Sequence, residues 1–494
     1  MRLMQLLMVL ALLTACAGDE FYDEGYDEEF EDDFAEDSTF DGIWYTETEG
    51  IALEIANGTL TEYTVTPLGC GEYAALTIFD SVAYSENDEE IYELAVEGDS
   101  LDLYEGPSDD DYLATFEAVD SLPTVCDSVF DGNILRVDPS TESIASLGDL
   151  EATLEDWRSR NGVPGLALAI VSGNRLLDTI TLGNTATSGG SPIQADTPFL
   201  MASVSKTITA TAVVIAADRG TFNLDDPIDA YLPFTVDNPL IDGETITIRH
   251  LLTHTSGLVD GEAVYNNYSD GDSPIALSAF MQGYFTPGGA YYDEDDNFID
   301  SDPGNEYVYS NVGTSLSGYV VEAATGIPFA TYTDQQIFTP LGMTNTSFRL
   351  ADFPDTSRIA LPIASDGTSY GHYGFPTYPD GGLRSSVEDM AAFMGMIMNN
   401  GTWNGVEVIS AASIEAMLSE QTTAQDGQGL IWYTSEDGSV GHSGGEQGTV
   451  TEMYFLPDQQ VGVVFMMNSS GSNVDRLSAS ILELVFQNAE VFAP

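Results

Sequence analysis

From Gly42 to Cys126 apolar and polar residues alternate over short runs, among them Ile51 to Ile55, Leu60 to Val65 and Leu101 to Tyr104, with Gly, Asn and Asp between them. Alternation with period two, broken by turn formers, predicts strands, so residues 42–126 read as a small antiparallel all-β domain. Residues 127–147 read as a linker. The period then changes. Glu151 to Arg160 predicts a helix, and Leu166 to Val171 and Leu176 to Leu182 predict two strands joined by a Ser-Gly-Asn turn. Near the other end, the segment around Val440, Thr449 to Phe455 and Val461 to Met467 are three more strand candidates, followed by a final helix over Asn473 to Phe486. Helical runs such as Ile208 to Ala217 and Val312 to Ala324 lie between. Strands at both ends with helices between them predict a mixed α/β fold of the α+β kind for residues 148–494: one antiparallel sheet built from distant segments, flanked by helices, with a mostly helical subdomain. The acidic, Tyr- and Gly-rich run from Asp260 to Asn305 reads as a loop excursion.

The first residues follow a different pattern. Arg2, the apolar stretch Leu3 to Leu13 and the exit Leu13-Thr14-Ala15-Cys16 read as a signal peptide over residues 1–15, too short to span a bilayer as a mature helix. The LTAC sequence resembles the lipobox of bacterial lipoproteins, which implies cleavage before Cys16, lipidation of that cysteine and a membrane anchor. Residues 16–41 follow as an acidic tether; thirteen acids and no cation fall between residues 19 and 41, a composition that repels itself and stays disordered. The other two cysteines, Cys70 and Cys126, form an even pair in an exported chain, so a disulfide between them is expected.

Charge narrows the function classes. The 494 residues carry 81 Asp and Glu against 12 Lys and Arg, a formal charge of -69, and the acidity continues beyond the tether. Such a surface tolerates salt and argues against nucleic acid or anionic lipid headgroups as partners; a saline habitat fits it. Against that background Lys206 is the single lysine of the chain. An arginine stays protonated in a protein, whereas a lysine can lose its proton once buried, so a lysine kept only here implies proton handling.

Lys206 lies three residues after Ser203 in LMASVSKTITA, ahead of an apolar helical run. Spacing of i,i+3 sets hydroxyl and amine on one helix face, where the amine can take the hydroxyl proton as Ser203 attacks an acyl carbon. Several further blocks accompany this pair: GVPGLALAIV near Gly162, TIRHLLTHTSGL from Thr247, YSN at Tyr309 to Asn311, PLGM from Pro340, GGLRSS from Gly381 and HSG at His442 to Gly444. In their order they resemble the serine beta-lactamase-like family of class C beta-lactamases, D,D-carboxypeptidases, D-aminopeptidases and related esterases, over roughly residues 148 to 490.

The resemblance implies that Ser203 is the nucleophile, Lys206 its general base and Tyr309 a second proton-relay group, a phenol whose pKa a nearby cation could lower. It implies that Asn311 points its amide into the same cleft to hold Lys206 or a substrate carbonyl, and that the backbone N–H groups of Ser203 and Gly445 form the oxyanion hole. His442, Ser443 and Gly444 stand where penicillin-targeting relatives carry Lys-Thr-Gly, and this substrate-binding strand resembles the esterase and peptidase branches. A histidine there offers less fixed charge to a substrate carboxylate. It also leaves Lys206 as the only amine of the cleft, with a pKa set by burial and Tyr309.

Other motifs have simpler readings. His250 and His254 have metal-like i,i+4 spacing but no accompanying carboxylate, so structural hydrogen bonding is expected. Ser385 and Glu388 have capping-box spacing and predict a helix start at the cleft rim. Arg384 is a candidate contact for an anionic substrate. The acidic run from Asp293 lacks the glycine of a calcium loop. The expectation is an exported, lipid-anchored serine hydrolase that forms an acyl-enzyme on an ester, amide or D-amino-acid-containing peptide and needs no metal or cofactor. A D,D-carboxypeptidase or beta-lactamase is the alternative, and a non-catalytic surface-attached binding protein is a third.

Overall fold

The computed structural model describes residues 144 to 494, apart from Asp242, Glu244, Asp366 and Glu436, together with Pro139, Glu142 and the backbone of nine strands between Gly42 and Phe130. The expected signal peptide, Cys16 and its lipid, the tether, Cys126 and the side chain of Cys70 lie outside the described residues, and with them the expected disulfide.

Eight of the early strands run from Gly42–Thr46 to Tyr112–Val119, each antiparallel to the next. The first also pairs with the eighth, Ile43 opposite Val119, so the meander closes on itself. Closure leaves no free edge in the ring. The ninth strand, Val129–Phe130, joins Gly69–Phe79 in parallel and lies within the expected linker.

The second sheet has six antiparallel strands in the spatial order Arg175–Gly183, Gly165–Ser172, Val461–Met467, Thr449–Leu456, Val440–Glu446 and Tyr433–Thr434. Every residue of Gly165–Ser172 is buried, because both faces of this sheet are covered. Leu166, Leu168 and Ile170 face one core, shared with the helices Leu147–Arg160 and Ser472–Gln487. Ala167, Ala169 and Val171 face the larger core of the helical subdomain.

One expectation fails usefully. The Asp260–Asn305 run is no bare loop: it contains the helix Leu277–Phe285, which buries Leu277, Phe280, Met281, Tyr284 and Phe285. These positions are i, i+3, i+4, i+7 and i+8, one helix face, masked in the sequence by acidic flanks.

Candidate active site

The helix Ser205–Asp218 is buried on every side from Ser205 to Ala216, an apolar run interspersed with small hydroxyl residues that find hydrogen bonds. Its threonines are satisfied locally or by a neighbouring segment: Thr207 donates to the carbonyl of Val204 (2.7 Å) and Thr209 to that of Pro379 (2.6 Å), while Ser205 Oγ accepts from Leu383 N (3.1 Å). These bonds fasten Pro379–Leu383 along the helix. A short 3-10 turn, Ala202–Val204, precedes it, and Ala202 has the left-handed φ of 45° that a non-glycine residue adopts only under constraint. The constraint is visible at the residue before it. Met201 N donates to Leu383 O (2.8 Å), and Thr451 Oγ1 donates to Met201 O (2.8 Å). Ser203 is the partly exposed residue of this otherwise buried turn.

Lys206 is fully buried, and its Nζ donates to Ser203 Oγ and to the main-chain oxygen of Asp380, both at 2.9 Å. It also sits 5.0 Å from the ring centroid of Tyr309. Burial disfavours the ammonium and pulls its pKa down to about 8, while Asp380, Asp260 and Glu446 pull the other way. Burial was foreseen from the sequence; the opposing influence comes from carboxylates and not from Tyr309. The Asp380 carboxyl is buried as well, accepts from Ser315 Oγ (3.1 Å), and is pushed up by desolvation against the attraction of Lys206.

Tyr309 also faces Ser203, whose hydroxyl favours the phenolate, so hydroxyl, amine and phenol converge. The expected lowering of the phenol pKa is reversed: burial raises it, and Asp380 and Asp260 add to the rise, with Ser203 opposing. Tyr309 is therefore a standing O–H donor, and the amine is the group able to accept a proton. The segment carrying Tyr309 is buckled to His254, whose carbonyl accepts from Val308 N (2.8 Å) and whose Nδ1 accepts from Ser310 N (3.1 Å). His254 packs at a tilt against Tyr309 with centroids 4.5 Å apart, and burial holds it neutral. His250 completes a capping box with Thr247 at the start of Ile248–Leu252. Both histidines thus have structural hydrogen bonds, and no metal-ligand cluster occurs among the described residues.

Asn311 opens the helix Asn311–Thr325, whose N-terminus is closed by Asp260. That carboxylate accepts from Asn311 N (2.9 Å), Val312 N (2.8 Å) and Asn311 Nδ2 (2.7 Å). Negative charge at a helix N-terminus is favourable. The amide of Asn311 is held by Asp260, and Lys206 takes Ser203 and Asp380 as its partners in place of Asn311.

The strand Val440–Glu446 forms the opposite wall. Its register pairs Gly444 with Thr451, the residue bonded to Met201, which brings the strand against the Ser203 turn. A Cβ on Gly444 would lie 2.7 Å from Met201 O and 3.0 Å from Ser203 N. Only glycine fits. Side chains alternate along the strand, so His442, Gly444 and Glu446 face the turn while Ser443 faces away, meeting Tyr454 Oη at 3.0 Å. The expectation of a substrate contact from the Ser443 side chain gives way to this geometry. His442 Nδ1 lies 2.5 Å from Ser443 O, and its ring centroid is 6.2 Å from that of Tyr309. Burial, with the Lys206 charge, draws its pKa down to about 4, so it is neutral near pH 7.

Tyr433–Thr434 pairs only with Gly441 and Val440, leaving the outer edge from His442 onward without a partner strand. Ser443 O reaches that edge, and the alternation of an antiparallel strand sends Gly445 N–H the same way.

Two rim expectations are corrected. Arg384 is buried and directs its guanidinium to the carbonyls of Gly382 and Tyr373, not toward the cleft. The helix Val387–Met398 is capped by Ser386, whose side chain accepts from Asp389 N, one residue beyond the predicted cap; Ser385 Oγ instead bonds Thr346 Oγ1 (2.7 Å). Asp380, Asp260 and Glu446 went unrecognised in the sequence, since a carboxylate among 81 carries no signal of its own.

Comparison with known proteins adds to the geometry. The beta-lactamase family model matches residues 149–487. The D-alanyl-D-alanine-carboxypeptidase/endopeptidase AmpH of Escherichia coli is 25% identical over 343 residues, covering 66% of this chain and 85% of that protein. Among solved structures, the octameric penicillin-binding protein homologue from Pyrococcus abyssi superposes with a TM-score of 0.55 at 24% identity, over 69% of this chain and 77% of the other. The D-alanine carboxypeptidase AmpC from Burkholderia cenocepacia gives 0.52 at 22% identity, over 68% and 99%.

Proposed function

The chain belongs to the beta-lactamase family, and from that premise we propose that it is an exported serine hydrolase in which Ser203 is acylated by an ester, an amide or a D-amino-acid-containing peptide. The observation that carries this reading is the 2.9 Å contact between Ser203 Oγ and a buried Lys206 whose proton affinity is lowered by its surroundings. Lys206 takes the hydroxyl proton as the Oγ–acyl bond forms. The bond to the leaving group breaks, and that group receives the proton through Lys206 and Tyr309. Water then adds to the acyl-enzyme with the same pair acting in reverse, and the acid is released. The N–H groups of Ser203 and Gly445 stabilise the oxyanion, each worth a few kcal/mol, about 3 for a single donor.

Export and anchoring rest on the LTAC sequence ending at Cys16, and no helix among the described residues is long and apolar enough to cross a membrane. The name of AmpH points to D-alanyl-D-alanine peptides as one substrate class. The neutral His442 weighs toward esters and amides without a carboxylate anchor. Incubating the mature protein with a fluorophosphonate ester and, separately, with a penicillin, then mapping adducts by mass spectrometry, tests both. Labelling at Ser203, absent in Ser203→Ala, supports the hydrolase. A stable penicillin adduct favours the peptidase reading, and no adduct from either reagent on folded protein sinks the catalytic one.

A further inference from the structure

The wall of the cleft continues past Gly444 to Glu446. Two positions on from Gly444 and four from His442, its side chain shares their face of the strand. The carboxylate is held in place: Tyr268 Oη donates to Oε2 at 2.7 Å, and Gln447 N donates to Oε1 at 2.8 Å. Tyr268 itself packs at a tilt against Tyr373 and Phe375, and with these and Leu200 it lies beside the chain that leads into the Ser203 turn. Tyr373 Oη in turn donates to Gln447 O at 2.7 Å, fixing the strand end.

Among the described residues this carboxylate has no ion-pair partner. Arg158 pairs with Glu155, Arg160 with Asp156, Arg249 with Asp225, Arg349 with Asp352 and Arg358 with Asp196, and none of these pairs includes Glu446. Arg384, packed beneath this corner, is turned to main-chain carbonyls. Lys206 is bonded to Ser203 and Asp380 O. A part-buried carboxylate oriented by two donors and, among the described residues, without an ion-pair partner is complementary to a positive charge brought by a ligand. The same wall repels a substrate carboxylate, and the net charge of the chain reinforces that repulsion.

We infer that Glu446 is the specificity-determining residue of this site and selects substrates bearing an ammonium group near the scissile acyl bond, such as aminoacyl esters and amides, over neutral and carboxylate-bearing ones. The inference rests on the hydrolase reading of Ser203, and the following measurements keep the two apart. Hydrolysis of the p-nitrophenyl esters of propanoic, 3-aminopropanoic and glutaric acid is compared as kcat/KM, each corrected for its uncatalysed rate. In the wild type the amino ester should lead the neutral ester by about tenfold or more, with the carboxylate ester slowest. In Glu446→Gln the ratio of amino to neutral ester should fall to near one. An unchanged ratio in Glu446→Gln, or equal rates for all three esters in the wild type, overturns the inference while leaving Ser203 as nucleophile. Absence of any turnover or burst removes both.

A second measurement needs no variant. Butylammonium should inhibit neutral-ester hydrolysis by the wild type competitively and butanoate should not, with inhibition weakening as salt rises. Equal inhibition by the two ions, or none by either, counts against the inference.

Discussion

Replacing Gly444 by alanine adds one methyl group where the geometry leaves no room for it. The new Cβ would sit 2.4 Å from Thr451 Oγ1, 2.7 Å from Met201 O and 3.0 Å from Ser203 N, against ordinary carbon contacts of about 3.5 Å or more. None of these neighbours is free to yield. Thr451 Oγ1 is bonded to Met201 O, Met201 N is bonded to Leu383 O, and Ala202 already stands at a left-handed φ. The strand and the Ser203 turn must therefore part. Overpacking of this kind costs about 1–3 kcal/mol of stability. The loss of rate should be larger in proportion, because the gap that opens lies between the N–H groups of Ser203 and Gly445 proposed as the oxyanion hole: losing one such donor costs about 10²–10³ in kcat. We expect kcat on a small activated ester to fall about 100-fold or more, with KM changed little. The urea midpoint and kcat should be measured side by side, with Gly148→Ala as control, since a Cβ there meets only Ser146 Oγ at 3.7 Å. A folded Gly444→Ala enzyme with kcat within about threefold of wild type would refute the account of the cleft wall.

Lys206→Arg keeps the charge but cannot give up its proton, so kcat should drop about 10²–10⁴-fold in a folded protein, read from burst and steady-state ester kinetics. With Lys206 as the proposed general base the unprotonated amine is the active form, so kcat/KM should rise with pH and level off with an inflection near 8. Asp380→Asn removes a carboxylate that favours the ammonium, so the same limb should move to lower pH; a limb that stays put or moves upward contradicts the assignment. His442→Lys introduces a second amine and should also move the limb downward. Asp260→Ala strips three donors at the start of Asn311–Thr325 of their acceptor and should cost about 1–2 kcal/mol in urea denaturation, with a fall in kcat as the adjoining Tyr309 loosens.

Much of this molecule is written in local periodicity, and that part was legible. The strand read as Leu166 to Val171 spans Gly165–Ser172, and the helix read as Asn473 to Phe486 spans Ser472–Gln487. What stayed hidden depends on contacts between distant segments. Closure of the eight-stranded ring requires Ile43 to find Val119, a pairing that neither strand announces. Ser386, and not Ser385, caps its helix because Thr346 engages the earlier hydroxyl. The direction of the Tyr309 pKa was misjudged for a related reason: proximity to a cation was inferable, whereas the depth of burial, which outweighs it, was not.

The solitary lysine brings these points together. In a chain with this excess of acid, carboxylates near the reaction centre are hard to avoid, and Asp380, Asp260 and Glu446 all favour a charged Lys206. A nearby ammonium would oppose that, but position 442 holds a histidine that burial keeps neutral. Desolvation is then the main influence left to free the amine for proton transfer. It is supplied by the Ser205–Ala216 stretch, buried on every side, and by the Pro379–Leu383 segment fastened along it. A change that admits water to this helix by releasing Pro379, such as Thr209→Gly, should therefore raise the pKa of Lys206 and move the acid limb of the rate profile upward. If the limb holds its place while the protein loses stability, burial is not what tunes the base.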